Sequence, residues 1–99
     1  MAKYDVYPSP NGPGFVLDVQ TDLLDGFATR VVVPMLPAGS APIPAKLLNP
    51  VFEFGGDAHV MVTQFLSAVP VQPLRAPVAN LGERADEITR ALDMLFQGF

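Results

Sequence analysis

The chain has 99 residues and a net charge of −4, only 16% of its residues are charged, and it contains no cysteine. This composition excludes disulfides, thiolate metal sites and cysteine nucleophiles, and the scattered Lys and Arg residues disfavour direct binding of nucleic acid, which normally needs a basic face. The length predicts one domain over residues 1–99, and the low charge favours a buried homo-oligomeric interface over a monomer with a slightly apolar surface.

Residues 3–20 are predicted to form two strands joined by a turn. The pattern predicts a short strand over residues 3–7, a turn cluster over 8–14 with Asn11-Gly12 at its apex, and a second strand over 15–20. Side chains of the second strand alternate between two faces, with Phe15, Leu17 and Val19 on one and Val16, Asp18 and Gln20 on the other.

The next segment breaks the strand pattern and then resumes it. Residues 21–28 are predicted to form a loop, in which Asp22 and Asp25 flank two leucines, so that at least one leucine is expected to be exposed. Residues 30–35 are β-branched and predict a strand buried on both faces. Its Pro34 lacks an N–H group and should end the pairing or lie on a sheet edge.

The middle of the chain predicts a crossover and a hairpin. Residues 36–50 are expected to be irregular, because prolines punctuate them. Residues 51–54 and 58–63 flank Gly55-Gly56-Asp57, which is a strong hairpin signal. Residues 67–73 predict a last short strand, closed by its final proline.

The last segment predicts the single long helix. No proline occurs from Asn80, the expected N-cap, through Phe99. A rotation of about 100° per residue turns Leu95 toward the domain and Gln97 away from it, so we expect the helix end to pack and to hold Gln97 outward. The predicted apolar face is Ala85, Ile88, Leu92, Leu95 and Phe99, with Phe96 at its margin, and the polar face is Asp86, Arg90, Asp93 and Gln97.

The remaining polar residues predict no active site, cofactor or metal. His59 is the single histidine and lies in a strand pattern, which favours a structural role over catalysis and excludes the usual zinc ligand sets. Glu83, Asp86 and Glu87 should favour the helix macrodipole. Arg30 and Arg75 are expected on the surface, and no apolar segment has the length of a signal peptide, which is compatible with the cytoplasm.

Several stretches together resemble the CcdB toxins, the toxin half of a bacterial toxin–antitoxin pair. The resemblance covers residues 6–99, and the combination of "DVQ(S/T)D" with a helix that ends in Phe-x-Gly-hydrophobic is fairly specific. The stretches are "LDVQTDLLD" (17–25), "VVVPM" (31–35), "NPVFEFGGDAHVMVT" (49–63), "SAVPV" (67–71), "VANLGERADEITRALDMLF" (78–96) and Gly98.

The resemblance implies a fold, an assembly and partners. The implied fold is mainly β with one C-terminal α-helix, a CcdB/Kid-like antiparallel sheet related to SH3-like barrels with a smaller second sheet beside it. The implied assembly is a homodimer. The implied action is binding of the DNA gyrase A subunit at its dimerisation region, which traps the cleaved-DNA complex and is relieved by a flexible antitoxin segment.

The resemblance also carries target-binding residues onto this chain. Two aliphatics after the DVQ(S/T)D motif match at Leu23 and Leu24. Near the C terminus, the family Phe and Gly match at Phe96 and Gly98. The loop Ser9, Pro10, Asn11, Gly12, Pro13 and Gly14 is the implied antitoxin contact, with a mobile hairpin tip as the alternative interpretation.

Three target-binding positions depart from the family. Asp93 replaces an Asn and Phe99 replaces an Ile. The departure that matters most is Gln97, which replaces a Trp, because an outward Trp is a typical interface hot spot and Gln has much less contact area.

Three interpretations of the changed C terminus stay open. Phe99 supplies the missing aromatic contact and gyrase remains the target, or the surface suits a different partner, or the protein no longer poisons its target but still binds antitoxin. A fourth hypothesis comes from the related MazF and Kid barrels, which cut RNA. That activity needs an acid, a base and cations in one pocket, which this acidic chain does not suggest.

Overall fold

The computed structural model describes residues 2–99 and confirms a mainly β fold with one C-terminal α-helix. Short 3₁₀ turns interrupt the chain at Asp22–Leu24, Thr63–Phe65 and Gly82–Arg84. The strands are β1 Asp5–Pro8, β2 Phe15–Asp18, β3 Thr29–Pro37, β4 Val51–Phe54, β5 Asp57–Met61, β6 Ser67–Pro70 and β7 Ala79–Asn80, and the helix is α1 Ala85–Gln97.

The strands form one antiparallel, barrel-like sheet in the order β4-β5-β3-β2-β1-β7, with β6 also paired to β3. One edge of β3 pairs with β2. The other edge pairs first with β6, over residues 29–32, and then with β5, over residues 35–37. The smaller sheet expected beside the main one is therefore joined to it, because the long strand β3 runs through both.

Pro34 does not end β3, contrary to the sequence prediction. It pairs with Val16 on one side, and its carbonyl accepts a hydrogen bond from the Val62 N–H at 2.9 Å. Pro34 lies where the β6 register stops and the β5 register starts, beside the turn Thr63–Phe65. The missing N–H thus coincides with a gap in the ladder, which is how a proline is tolerated inside a strand.

The two hairpins differ in how well local signals predict them. The predicted hairpin forms with a shorter turn: Gly55 and Gly56 have φ of +63° and +86°, as a type I′ turn requires, and Asp57 begins β5. In the first hairpin Pro8 pairs with Phe15, so Asn11-Gly12 is not a two-residue apex but part of a six-residue loop.

Alternation along the strands builds a cluster on each face of the sheet, which confirms that β3 is buried on both faces. The larger cluster packs against α1 and contains Val6, Leu17, Val33, Met35, Phe52, Met61, Leu81, Ile88 and Ala91. The smaller one contains Tyr7, Val16 and Val32, with Val69 and Leu74 packed against it.

The helix begins later than predicted. Asn80 lies in β7, where it pairs with Asp5, and its side-chain oxygen accepts from the Gly82 N–H at 2.8 Å. Asn80 therefore stabilises the entry to a 3₁₀ turn rather than capping α1. Within residues 2–99, no helix combines the length and the hydropathy needed to cross a membrane.

Candidate functional site

The loop that carries Leu23 and Leu24 stands away from the core. Residues 21–29 are all exposed, and Leu23 is 92% exposed. The tip is a 3₁₀ turn in which the Thr21 hydroxyl accepts from the Leu23 N–H at 3.3 Å and the Asp25 N–H donates to the Asp22 carbonyl at 3.1 Å. Leu24 is partly covered, so the loop presents one leucine fully and the other in part.

Arg30 lies under this loop and is not on the surface, which corrects the sequence prediction. Its side chain is 1% exposed and forms an ion pair with fully buried Asp18, with Nη2 2.6 Å from Oδ2. Nη2 also donates to the Gln20 carbonyl at 3.2 Å. Burial raises the pKa of the Asp18 carboxyl, and the hydrogen bonds from Arg30 oppose that shift.

The C-terminal end of α1 does not pack as predicted. Gly98 adopts a left-handed conformation with φ of +81°, and its N–H donates to the carbonyls of Asp93 and Met94. The helix stops there, so Phe99 leaves the predicted apolar face and is 79% exposed. Phe96 is also exposed, at 68%, and the buried positions of α1 are Ile88 and Ala91.

Gln97 is exposed, as predicted, but it is not free of neighbours. Its side-chain amide donates to Asp93 Oδ1 at 3.4 Å, one helical turn back. Asp93 and Gln97, which replace the family Asn and Trp, therefore contact each other. Together they form a polar strip at the helix end, which also carries the exposed Phe96 and Phe99.

The candidate target-binding residues fall into two patches. The first, the leucine loop, is residues 21–25; the second, the helix end, is residues 93–99. Among residues 2–99, no hydrogen bond or salt bridge joins the leucine loop to the helix end. The sequence-predicted residues are exposed or, at Asp93, half-buried, and no such bond gathers them into one site within a single chain.

The loop expected to contact the antitoxin joins β1 to β2. Asn11, Gly12 and Pro13 are exposed at its tip, and the Ser9 N–H closes it by donating to the Gly14 carbonyl at 3.0 Å. The backbone at position 14 requires glycine, because its φ is +89° and an added Cβ would lie 2.8 Å from the Met35 carbonyl oxygen.

His59 is buried and structural, as the strand pattern predicts. Its ring stacks on Phe54 with centroids 4.2 Å apart and meets Phe15 edge-on at 5.1 Å. Its Nδ1 donates to the Asp57 carbonyl at 3.1 Å. Within residues 2–99, no group of His, Asp and Glu side chains is placed to hold a metal ion.

A partly open cavity of about 170 Å³ lies beside the helix, lined by Leu47, Pro50, Glu87 and Arg90. Glu87 is hydrogen-bonded to Arg84, the last residue of the 3₁₀ turn before α1, and this bond lowers the pKa of its carboxyl. The cavity wall therefore carries a carboxylate that is already paired. The cavity gathers no set of groups suited to acid–base or nucleophilic chemistry.

The buried Arg30–Asp18 pair is the part of the site that sequence reasoning missed. A usable signal exists, because Arg30 opens a strand predicted to be buried on both faces, and Asp18 lies in the neighbouring buried strand. A charge in such a position is normally paired with an opposite one.

A comparison with protein families identifies the family of this chain. The family model described as "CcdB protein" matches residues 3–98, nearly the whole chain. Membership of that family indicates a toxin of a toxin–antitoxin system. By this match, and in agreement with its fold, the chain belongs to the CcdB family.

Proposed function

We propose that this CcdB-family chain is a toxin that binds the A subunit of DNA gyrase, traps the cleaved-DNA complex and is neutralised by a cognate antitoxin protein. Family membership supports the toxin role. On this proposal the protein acts in the cytoplasm, where gyrase and its DNA are found, and it inhibits by binding rather than by catalysis.

The observation that carries the target assignment is the exposure of apolar side chains at the family's target-binding positions. Leu23, Phe96 and Phe99 are more than half exposed, although large apolar side chains cost free energy in water. Side chains of this kind, at the tip of a loop and at the end of a helix, suit insertion into a partner's surface.

We further propose that the active form is a homodimer. The chain has few charges for its size, and its surface exposes further large apolar residues, including Phe65 and Val78. A dimer covers part of this apolar surface and presents two copies of the leucine loop and of the helix end. A dimer with two copies of each patch also suits a target with two-fold symmetry, and the proposed target is the region through which gyrase A dimerises.

A second candidate function is a CcdB-fold protein with a different target, or with no toxicity, that still binds antitoxin. The observation that favours it is Gln97, which stands in place of the family Trp and is hydrogen-bonded to Asp93. This polar strip lacks the broad contact surface of an indole and, at Asp93, adds a negative charge to the patch.

The hypothesis of an endoribonuclease rests on Arg30, Arg75 and His59, and of these only Arg75 is exposed. Arg30 is buried in its ion pair with Asp18, and His59 is buried between two aromatic rings. Neither side chain is free to contact a phosphate or to transfer a proton to RNA.

Growth of a bacterial host after induction tests the proposed function. The proposal predicts growth arrest with induction of the DNA-damage response, and relief when a peptide of the cognate antitoxin is co-expressed. A host with an altered gyrase A dimerisation region should grow. Arrest that persists in that host would point to the second candidate, a changed target; no arrest, with antitoxin still bound, would point to a non-toxic binder.

A further inference from the structure

We infer that Arg30 is the positioning residue of the leucine loop: from its buried site it holds Asp22 and Asp25, and so fixes the exposed leucines for a partner. The consequence for binding depends on the proposed function, whereas the effect on the loop itself does not. The contacts that hold the loop in place support this role of Arg30.

Burial of apolar surface does not hold the leucine loop. Every residue of the leucine loop and of the segment that follows it, from 21 to 29, is exposed, and the large apolar side chains Leu23 and Phe27 are more than half exposed. Loops without buried contacts open easily unless polar groups hold them. The conformation of this loop must therefore depend on its hydrogen bonds and ion pairs.

The side-chain contacts that tie residues 21–25 to the rest of the protein converge on Asp22 and on the Arg30 guanidinium. Asp22 Oδ1 accepts from the Lys3 N–H at 2.8 Å and lies 3.4 Å from Arg30 Nη2. Asp25 Oδ1 lies 3.7 Å from Arg30 Nη1. One buried cation thus reaches both acidic residues that flank the two leucines.

Arg30 itself is fixed, so it can serve as a rigid anchor. Its Nε and Nη2 both contact Asp18 Oδ2, at 2.9 and 2.6 Å, and Asp18 Oδ1 accepts from the Gln20 N–H at 3.0 Å. Asp18 is fully buried. Because the planar guanidinium cannot rotate without breaking these bonds, its remaining N–H groups point in set directions.

The Nη1 group supplies a second and independent observation. Among residues 2–99 it is the buried side-chain nitrogen that has no hydrogen-bond partner. Asp25, at 3.7 Å, is less than about 1 Å beyond ordinary hydrogen-bond distance. A buried donor without a partner is unfavourable, so Nη1 favours positions of the loop that keep the Asp25 carboxylate close to it.

Lysine cannot replace Arg30 in this role. A single ammonium group on a flexible stem can neutralise Asp18, but it cannot contact Asp18, Asp22 and Asp25 in fixed directions. Removing the positive charge altogether would leave Asp18 buried and unpaired, which endangers folding. The informative variants are therefore Asp25→Asn and Asp22→Asn, each of which weakens one contact with the guanidinium and leaves Arg30 paired with Asp18.

Amide hydrogen exchange of the free protein tests the inference directly. The amides of Leu24, Asp25 and Phe27 are bonded within the loop and report its opening. Asp25→Asn and Asp22→Asn should speed their exchange about 3- to 5-fold, the effect of losing one modest ion pair. Asp86→Asn, an exposed change on the helix, is the matched control and should leave these rates unchanged.

Binding of the gyrase A dimerisation region by the same variants gives the second readout. The affinity of the Asp25→Asn variant for this region should fall by a similar factor. Its denaturation midpoint should equal that of the Asp86→Asn variant. Loop exchange that is equal in Asp22→Asn, Asp25→Asn and Asp86→Asn would overturn the inference. Faster exchange without any gyrase binding by the wild type would uphold the inference and reject gyrase as the target.

Discussion

At the residue scale, Leu23 is the clearest candidate for a target contact. It is 92% exposed at the tip of a 3₁₀ turn, and nothing in the core depends on it. We expect Leu23→Ala to weaken gyrase binding about 10-fold, as truncation of a moderate interface contact does, and to change the free energy of unfolding by less than about 0.5 kcal/mol.

Ile43 offers a matched control for this measurement. It is 94% exposed in the crossover between β3 and β4, so Ile43→Ala removes apolar surface of the same kind from another part of the protein. Equal binding by Leu23→Ala and Ile43→Ala, measured by titration against the gyrase A fragment, would contradict the assignment of Leu23.

Tyr7 gives a prediction on pH dependence. Burial, followed by the nearby Asp5 carboxylate, raises the pKa of its phenol to about 12. Because the pKa in the folded state exceeds the unfolded value of about 10, Tyr7 contributes stability below pH 10 that is lost as the pH rises toward 12. The tyrosinate absorbance of a Tyr4→Phe variant, which keeps Tyr7 as its single tyrosine, should therefore rise near pH 12.

Asp5→Asn separates the two causes of this shift. It removes the charge of Asp5, and with it the carboxylate that accepts from the Tyr7 hydroxyl at 3.2 Å, but leaves the phenol ring buried. The pKa of Tyr7 should fall without reaching its ordinary value. Titration of Tyr7 near pH 10 in the Tyr4→Phe protein would show that the ring is not buried in solution.

At the element scale, Gly98 decides where the helix ends and where Phe99 points. Its φ of +81° strains any residue with a Cβ by about 1 kcal/mol, although an added Cβ would meet no atom within 4 Å. Gly98→Ala should therefore fray residues 94–97, visible as a loss of helical Cα chemical shifts, and should weaken gyrase binding.

Two further variants sharpen the Gly98 prediction. Gly98→Asn should preserve the helix end, because Asn tolerates the left-handed conformation. Gly39→Ala places a methyl group in open space on a backbone without positive φ and should change nothing at the helix end. Unchanged helical shifts in Gly98→Ala would contradict a role for Gly98 as the C-terminal cap.

Local signals predict part of these elements well. The Gly55-Gly56 turn and the alternation in β2 are specified by neighbouring residues, and the structure agrees with both. Local sequence patterns cannot predict β7, because its two residues pair with Asp5 and Val6, more than 70 positions earlier. The burial of Arg30 depends on the pairing of β2 with β3, which places Asp18 beside it, so the charge of Arg30 alone gives the wrong prediction.

At the helix end, the sequence contains a stop signal that contradicts the helical periodicity. Helical periodicity places Phe99 on the apolar face, yet Gly98 is a common stop signal just after the last helical residue. Periodicity describes a helix only as long as the helix continues. The exposure of Phe99 therefore follows from one glycine rather than from the pattern of the preceding turns.

At the scale of the whole molecule, the sheet and the helix form a scaffold with two separate apolar patches. The leucine loop extends from the β2–β3 connection, and the helix end lies at the terminus of α1. Since no polar contact joins the patches within residues 2–99, a homodimer that brings copies of both onto one face is the assembly that our proposal requires. A mass measurement that shows a monomer at tens of micromolar would count against this arrangement.

The central claim is tested most directly by a gyrase cleavage assay with the purified protein, in which trapped cleaved DNA is quantified for the wild type, Leu23→Ala and Gln97→Trp. Our account predicts cleaved DNA with the wild type, less with Leu23→Ala and more with Gln97→Trp, which restores the aromatic contact. No cleaved DNA with either the wild type or Gln97→Trp would contradict gyrase as the target of this protein.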